Sequence, residues 1–304
     1  MVFMNSPPRA TTRFRELLAA GAVVMPGAFN AISARLIEAA GFPAVYISGA
    51  GVTNALTGFP DVGLLTLTEM AQQARYIANS VALPCIADAD TGYGETLNVA
   101  RAIREFEDAG VAGIHLEDQV APKRCGHLDG KQIVPPVEMA RKIAAAAKAR
   151  RDPDLLIIAR TDARAVNGME DAVERATLYL DAGADAIFPE ALETREEFTE
   201  FASRVRAPLL ANMTEFGKSP LLTVAELEAI GYRMVIFPMT QFRVMMKAAE
   251  IALTELKHRG SQIGFLNQMQ TREELYRLID YAGYQAFDAD IAAQFESTKS
   301  DEVH

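Results

Sequence analysis

The chain has 304 residues, half of them hydrophobic, and carries a formal net charge of −10 at pH 7. This length and hydrophobic content suffice for a large core, and two cysteines fit a reducing compartment. The negative charge argues against a nucleic-acid partner but allows a locally positive site for a small anion. No apolar run reaches the roughly 20 residues of a membrane span, and the N-terminal segment lacks the apolar stretch of a signal peptide. We therefore expect a cytoplasmic protein without a membrane partner.

Short apolar runs alternate with longer segments of helical spacing along most of the chain. Predicted strands occupy residues 23–28, 44–49, 85–90, 113–118, 155–162, 186–191, 209–214 and 234–239. Predicted helices lie between and after them, at about 30–41, 67–81, 96–110, 136–149, 169–182, 195–204, 223–230 and 241–258. Several glycines before strands are expected to end helices in the left-handed conformation. They are Gly41, Gly110, Gly183 and Gly231.

Eight βα units with nearly continuous apolar strands predict a parallel sheet that closes into a (β/α)8 TIM-type barrel. An open doubly wound sheet is the alternative, although no G-x-G-x-x-G motif follows the first strand. We predict a single domain over residues 1–304, with the barrel core at about 20–258. Residues at about 259–296 form a predicted extension of two helices, whose apolar faces need a partner on the barrel or on another subunit.

Polar and charged residues cluster at the predicted carboxyl ends of the strands, where barrel enzymes place their chemistry. They are Ser48, Asp88, Asp90, Glu117, Asp118, Arg160, Asp162, Glu190, Asn212 and Thr214. Charged residues at the end of a buried strand are costly unless they are paired or bind a metal. The set therefore predicts an active site, with a network of internal salt bridges near the rim as the alternative.

Asp88 and Asp90 stand two apart on one predicted strand, so both are expected to point to the same side of the sheet. Two carboxylates at that distance repel each other unless a cation lies between them. Oxygen ligands favour Mg²⁺, or Mn²⁺, over zinc, and Glu117 can join such a site through water. A helix cap or an ion pair at the rim is the alternative for one of the two aspartates.

Cys125 lies in a long loop, about residues 119–134, that we expect to act as a lid over the site. Lys123, Arg124 and His127 flank the cysteine, and cations favour the thiolate, so we expect Cys125 to be more acidic than a free cysteine. Cys125 and His127 are therefore candidate catalytic residues. An incidental surface thiol is the alternative.

Three arginines are candidates to bind substrate carboxylates, because a guanidinium group matches the geometry of a carboxylate. Arg160 is the strongest, since it lies on a barrel strand, whereas Arg243 and Arg272 lie on or near helices and fit surface ion pairs equally well. Tyr46 and Asp61 follow the second strand or lie within it, and either can orient substrate or a water molecule. A core position for Tyr46 and a turn position for Asp61 are the alternatives.

The chain resembles a known superfamily in a series of segments: YISGAGV, FPDVG, DADTGYG, LEDQVAPKRCGH, ARTDA, FPEA, NMTEFG and MQTREELY. They occur in the order found in the isocitrate lyase and phosphoenolpyruvate mutase superfamily, and the match extends from about residue 10 to 290. KRCGH is specific for the lyase branch. Chain length makes the methylisocitrate lyases the most similar group, since true isocitrate lyases are considerably longer.

The resemblance implies an oxo-acid lyase that cleaves 2-methylisocitrate to pyruvate and succinate during propionate breakdown by the methylcitrate route. It implies that Asp88 and Asp90 hold Mg²⁺, with Glu117 in the outer sphere. It also implies a homotetramer in which the helix after the barrel is exchanged between subunits. The implied substrate-binding residues are Ser48, Gly49, Ala50, Cys125, Gly126, Arg160, Glu190, Asn212, Met213, Thr214, Arg243 and Arg272.

In the expected reaction, bond cleavage leaves a carbanion on the succinate side, and Cys125 donates a proton to it. The base that removes the hydroxyl proton stays open between Tyr46, a water held by Asp61, and Glu117. Methylisocitrate lyases resemble this chain in having a phenylalanine at Phe188 and an aliphatic residue at Ile236, which are expected to form an apolar pocket for the extra methyl group of the substrate.

Two departures from the family pattern stand out in the same segments. Relatives often have SGGG where this chain has Ser48-Gly49-Ala50-Gly51, so Ala50 adds one methyl group near the expected substrate. Arg124 replaces the second lysine of the KKCGH found in some relatives, which preserves the charge.

Several related activities compete with this interpretation. 2,3-Dimethylmalate lyase shares the metal site, the cysteine and the lid. A phosphonomutase lacks KRCGH, so Cys125 argues against it, and a decarboxylase or acetylhydrolase acting on oxaloacetate is a further alternative. A non-enzymatic binding protein on the same barrel is disfavoured, because the acid, the metal ligands and the cationic residues occur together.

Overall fold

The computed structural model describes residues 9–301, with side chains described up to residue 295. Its internal contacts divide the chain into two compact units, one that ends at Met245 and one that begins at Met246. The single domain expected from the sequence stays a prediction. Among the described residues, no helix has the length and apolar character needed to cross a membrane.

The first unit contains eight strands and most of the helices. The strands are β1 (Val23–Ala28), β2 (Val45–Ile47), β3 (Cys85–Asp88), β4 (Gly113–Glu117), β5 (Leu156–Thr161), β6 (Ala186–Pro189), β7 (Leu210–Asn212) and β8 (Met234–Phe237). The helices are α1 (Ala10–Ala20), α2 (Ala31–Ala39), α3 (Gly49–Thr57), α4 (Leu67–Ala78), α5 (Thr96–Ala109), α6 (Pro136–Ala149), α7 (Ala163–Asn167), α8 (Met169–Asp181), α9 (Arg195–Arg204), α10 (Val224–Ile230) and the start of α11 (Thr240–Arg259).

The second unit is helical throughout its regular structure. It contains the remainder of α11, a short 3₁₀ helix at Ile263–Gln268, α12 (Arg272–Leu278) and α13 (Tyr281–Asp301). The two helices predicted after the barrel correspond to α12 and α13. The sequence pattern did not predict α1, α3 or α7.

All neighbouring strands are parallel, in the order β6-β5-β4-β3-β2-β1-β8-β7. A bridge between Ile187 and Leu209 joins β6 to the residue before β7, so the sheet is a nearly closed barrel. The predicted (β/α)8 architecture is confirmed. The predicted glycine conformation is confirmed as well, since Gly110 after α5 has φ 89° and Gly231 after α10 has φ 119°.

Alternate residues of each strand point into the barrel, which separates its core into two layers. Tyr46, Ile86 and Ile158 belong to the inner cluster, whereas Val45 and Ile47 pack in the outer cluster between the sheet and the helices. Phe14 of α1 is fully buried in the inner cluster. Apolar side chains thus fill the interior of the barrel. The inward-facing residues that follow them along each strand lie at the carboxyl end of the barrel.

A buried hydrogen-bond network anchors the carboxyl ends of β4 and β5. Asp118, directly after β4, accepts hydrogen bonds from the Thr161 hydroxyl (2.8 Å), the Asp162 backbone N–H (2.9 Å) and the Tyr179 hydroxyl (2.9 Å). Arg175 Nη1 lies 3.3 Å from the same carboxylate. Because Asp118 receives donors from β5 and α8, it fixes the backbone next to Arg160.

We expect Asp118→Asn to lower the free energy of unfolding by about 3 kcal/mol. The substitution removes the buried carboxylate partner of Arg175, and it places an amide N–H, which is a donor, among groups that are themselves donors. The midpoint of urea denaturation, followed by circular dichroism, measures this effect. Asp171→Asn is the matched control: Asp171 pairs with the same arginine at 2.9 Å but is partly exposed, so its loss should cost about 0.5 kcal/mol. Equal shifts for the two variants would contradict the role given to Asp118.

Candidate active site

A cavity of about 230 Å³ opens at the carboxyl end of the barrel. Most of the site residues expected from the sequence line it. They are Tyr46, Ser48, Ala50, Asp61, Asp88, Glu117, Cys125, Gly126, His127, Arg160, Phe188, Glu190, Asn212, Thr214, Ile236 and Arg243. Every second residue of a strand points into the barrel, and the last inward-facing residue of each strand lies just beyond the apolar inner core. These last residues are polar, and they therefore meet at the carboxyl end of the barrel.

Lys123 of the lid bridges two carboxylates. Its Nζ lies 2.6 Å from Asp61 Oδ1 and 2.7 Å from Asp90 Oδ1, and its side chain is buried. The sequence interpretation counted Lys123 only among the cations that flank Cys125. The KRCGH motif was the available signal, but nothing in the spacing showed that the lysine folds back between Asp61 and Asp90.

Asp90 corrects one expectation. The strand ends at Asp88 and Asp90 has φ 46°, so the two aspartates do not share one strand face. The chain turns between them, and the Asp90 backbone N–H donates to Asp88 Oδ1 at 2.9 Å. Asp88 lines the cavity, whereas Asp90 reaches its edge through the contact with Lys123.

The two aspartates differ in their ionisation. Burial raises the pKa of Asp88, but His115 and Lys123 outweigh that effect, so its pKa lies below the ordinary value. Burial raises the pKa of Asp90 to about 6 despite the charge of Lys123. At neutral pH both groups are therefore largely ionised.

Tyr46 and His115 lie on the floor below Asp88. The Tyr46 hydroxyl is 2.8 Å from His115 Nε2, and His115 Nε2 is 3.6 Å from Asp88 Oδ1. Burial, followed by the charge of Asp88, raises the pKa of Tyr46 well above its ordinary value. Burial likewise lowers the pKa of His115. Tyr46 therefore keeps its proton at neutral pH.

Arg160 connects three carboxylates on the opposite wall. Its Nε lies 3.0 Å from Asp162 Oδ2, and its Nη1 lies 3.3 Å from Glu117 and 3.8 Å from Glu190. Burial raises the pKa of Glu117 well above its usual value in spite of this cation. Burial also opposes ionisation of Glu190, but Arg160 and a hydrogen bond from His127 outweigh it and hold the pKa of Glu190 below its usual value.

His127 joins the lid to this wall. Its Nε2 lies 3.0 Å from Glu190 Oε1, and its Nδ1 accepts a hydrogen bond from the Lys218 backbone N–H at 3.0 Å. Asn212 Nδ2 lies 3.4 Å from each oxygen of Glu190. The lid histidine is therefore seated against β6 and the loop after β7.

Cys125 is less acidic than a free cysteine, which corrects the expectation from the sequence. Partial desolvation is the largest cause that raises its pKa, and Glu190 and Asp61 raise it further. The backbone N–H of His127 and the charge of Arg160 lower it by less. The prediction was wrong because Lys123 is already paired with two carboxylates, so its charge does not act mainly on the thiol.

The predicted Ser48-Gly49-Ala50 turn is the start of α3. Ser48 is the N-cap, and its hydroxyl accepts a hydrogen bond from the Gly51 backbone N–H at 3.1 Å. A Cβ at Gly49 would stand 2.5 Å from Asp88 Oδ2, so only glycine fits beside this aspartate. The helix N-terminus faces the cavity through Ser48 and Ala50, and such a terminus favours anionic groups.

Three of the expected binding residues lie differently from the main group. Met213 is buried in the outer core cluster, because it follows the inward-facing Asn212 and points the opposite way. Arg243 lines the cavity, with Nε 3.6 Å from Glu215 and its guanidinium over the Phe216 ring. Arg272 is the first residue of α12 in the second unit, and its role stays a prediction.

The chain is similar to known proteins over most of its length. The sequence profile of the phosphoenolpyruvate phosphomutase family matches residues 14–257. A protein named 2-methylisocitrate lyase from Aeropyrum pernix is 54% identical to this chain, over 90% of this chain and 88% of its own length. The chain belongs to the phosphoenolpyruvate mutase family. The resemblance to 2-methylisocitrate lyase expected from the sequence is confirmed.

Solved structures agree with this family membership. A crystal structure of 2,3-dimethylmalate lyase, described as a member of the PEP mutase/isocitrate lyase superfamily, has a TM-score of 0.89 and 37% identity, over 94% of this chain and 96% of its own. Phosphonopyruvate hydrolase in complex with oxalate and Mg²⁺ has a TM-score of 0.85 and 30% identity, over 93% and 99%. Proteins named for different activities thus share this barrel.

Proposed function

We propose that this protein is a carbon–carbon lyase that cleaves 2-methylisocitrate to pyruvate and succinate. The observation that carries the proposal is the meeting of a thiol, a set of carboxylates and a buried guanidinium around one cavity: Cys125, Asp88, Glu117 and Arg160 all line it. The 54% identity to a 2-methylisocitrate lyase supports this choice of substrate. Propionate breakdown by the methylcitrate route is the pathway that this activity would serve.

The acidic residues of the cavity suit a hard divalent cation. Both carboxylate oxygens of the buried Glu117 lack a hydrogen-bond partner within the described part of the chain, although Arg160 is near one of them. Among residues 9–301, no group of three or more His, Cys, Asp or Glu side chains is close enough to form a metal site alone. The unpartnered carboxylate oxygens of Glu117 suit Mg²⁺, which keeps several waters and binds through one or two carboxylates plus substrate oxygens.

Asp88 and Asp90 are the proposed ligands of Mg²⁺, or Mn²⁺, with Glu117 acting through water. The Mg²⁺ named in the phosphonopyruvate hydrolase complex supports this proposal. When bound, the ion would supply positive charge that lowers the pKa of a substrate hydroxyl and stabilises developing negative charge on oxygen.

The residues of the chain itself account for the proton transfers. The raised pKa of Cys125 keeps its thiol protonated at neutral pH, so it can donate a proton to the carbon of the succinate half. Burial raises the pKa of Tyr46 and of Glu117 alike, so the base stays open between Tyr46, Glu117 and a water held by Asp61. Arg160, together with Asn212, Thr214 and Arg243, would stabilise the negative charge of the succinate half.

Two apolar side chains at the base of the cavity support selection for the extra methyl group. Phe188 and Ile236 line the cavity, and both are almost completely buried. The guanidinium carbon of Arg160 lies 5.2 Å from the centre of the Phe188 ring, so the apolar surface adjoins the proposed carboxylate-binding group. Isocitrate has a hydrogen at this place and would lose roughly 1–3 kcal/mol of contact.

We propose a homotetramer in the cytoplasm, with a helix exchanged between subunits. Helix α11 buries none of its residues, and it exposes large apolar side chains that include Val244, Ile251 and Leu253. Such a surface is typical of an interface. Both cysteines are free, which fits a reducing compartment. The proposed partner is a di- or tricarboxylate substrate, and the net charge of −10 disfavours a nucleic acid.

A substrate panel tests the activity. Pyruvate release is followed with 2-methylisocitrate, isocitrate and 2,3-dimethylmalate, each with Mg²⁺ and with EDTA. We expect kcat/KM for 2-methylisocitrate to exceed that for isocitrate by about 10-fold or more, since a buried methyl group is worth about 1–3 kcal/mol. Activity should disappear with EDTA and return with Mg²⁺.

Two results of this panel would contradict the proposal. Isocitrate turned over as well as 2-methylisocitrate would remove the role of Phe188 and Ile236. A preference for 2,3-dimethylmalate would assign the chain to the activity of the solved relative at 37% identity.

Cys125→Ser tests the proton donor. We expect kcat to fall by about 100-fold or more, because a serine hydroxyl is a much weaker acid than a thiol and general acid catalysis contributes about 10²–10⁴-fold. Circular dichroism and the urea midpoint should be unchanged, since Cys125 lies on a loop at the surface. Cys85→Ala is the control for loss of the buried thiol away from the cavity, since it adds no polar group to the core. A nearly wild-type rate for Cys125→Ser would exclude this cysteine from catalysis.

A further inference from the structure

The peptide on the N-terminal side of Cys125 is held by the side chain of Gln119. Gln119 Nε2 donates to the Arg124 carbonyl at 2.9 Å, and Gln119 Oε1 accepts from the Arg124 backbone N–H at 2.9 Å. Gln119 is buried and forms a β-bridge with Ile133 at the base of the lid. Its amide therefore satisfies both backbone groups of the residue before the cysteine.

The residue that follows Cys125 is held by Lys131. Its Nζ donates to the Gly126 carbonyl and lies 2.7 Å from Asp162 Oδ1, and its side chain is 2% exposed. Asp162 is completely buried and also accepts from Arg160 Nε (3.0 Å) and Nη2 (3.2 Å). One lysine thus connects the residue after the cysteine to the carboxylate that orients the buried arginine.

The fit of Gly126 shows how closely this part of the lid approaches the barrel. A Cβ at Gly126 would overlap the side chain of Glu190 and the guanidinium of Arg160. The lid peptide is therefore pressed against the two groups that form the opposite wall of the cavity. A displacement of this peptide moves Cys125 away from them.

We propose that Lys131 is a positioning residue that latches the lid to Asp162 and, with Gln119, fixes the backbone on both sides of Cys125. Lys131 does not line the cavity, so it acts through the cysteine rather than on the substrate. A buried lysine that lacks its carboxylate partner is destabilising. The ion pair between Lys131 and Asp162 therefore favours the position of the lid in which these two groups are in contact. This inference rests on the proposed role of Cys125 as proton donor.

Loss of the latch should act on the lid and leave the barrel intact. Without Lys131, the Asp162 carboxylate still accepts two hydrogen bonds from Arg160, and the Asp162 backbone N–H still donates to Asp118. The guanidinium on the cavity wall therefore stays in place. The Gly126 carbonyl, by contrast, loses the donor that ties it to the barrel.

Lys131→Met is the test variant, with Lys131→Arg as the conservative one. We expect kcat for 2-methylisocitrate to fall about 10- to 100-fold in Lys131→Met with KM changed less than threefold, because a small misplacement of a catalytic group can cost about 100-fold. Lys131→Arg should recover much of the lost rate. Hydrogen exchange with Mg²⁺ present should rise in peptides from 119–134 and stay unchanged in the barrel strands.

Asp129→Asn is the matched control. It removes a different, exposed ion pair of the lid, Lys218 with Asp129, in which the aspartate is 92% exposed, and such pairs contribute little. Its kcat should stay within twofold of wild type. Wild-type kcat and unchanged lid exchange in Lys131→Met would overturn the latch.

The exchange measurement separates the two proposals. If the unsubstituted protein has no lyase activity, the proposed function fails, and faster exchange confined to the lid of Lys131→Met still supports the latch. If the protein is active and Lys131→Met raises exchange across the whole barrel, the lysine only stabilises the fold and the positioning role is wrong.

Discussion

Charge pairing inside the barrel mouth is the constraint on which the rest of the site depends. Carboxylates from separate strands and loops are buried within a few ångströms of each other, and such groups are costly unless cations balance them. Arg160 contacts Asp162, Glu117 and Glu190, and Lys123 contacts Asp61 and Asp90. Glu117 keeps oxygens that are without a hydrogen bond inside residues 9–301, and these are suited to a further cation or its waters.

The same charge pairing explains why the cysteine of the lid fits the role of an acid. Lys123, Arg124 and His127 flank Cys125 in the sequence, but Lys123 is engaged by Asp61 and Asp90, and the negative charges of Glu190 and Asp61 act on the thiol. Desolvation and these carboxylates raise the pKa of Cys125, so the thiol is protonated before any product is bound. The proton needed by the succinate half is therefore available at the start of the reaction.

The sequence predicted the barrel and most of the cavity, because both follow from periodicity: an alternate residue of each strand faces inward, and the last inward residue is polar. The sequence did not predict the backbone conformation of the residues that follow the strands. Asp90 leaves the strand phase in a left-handed conformation. Met213 follows the strand alternation, on the outward phase next to Asn212, and only the family resemblance had placed it among the binding residues. The fold of the lid, which decides where Lys123 points, has no periodicity that a sequence pattern can reveal.

The most direct test is a crystal structure with Mn²⁺, pyruvate and succinate, in which the anomalous signal of manganese locates the ion. The account predicts a single strong peak beside Asp88 and Asp90, with Cys125 Sγ facing the carbon of succinate that is bonded to pyruvate in the substrate. No peak at these carboxylates, or a lid that holds Cys125 outside the cavity when both products are bound, would contradict it.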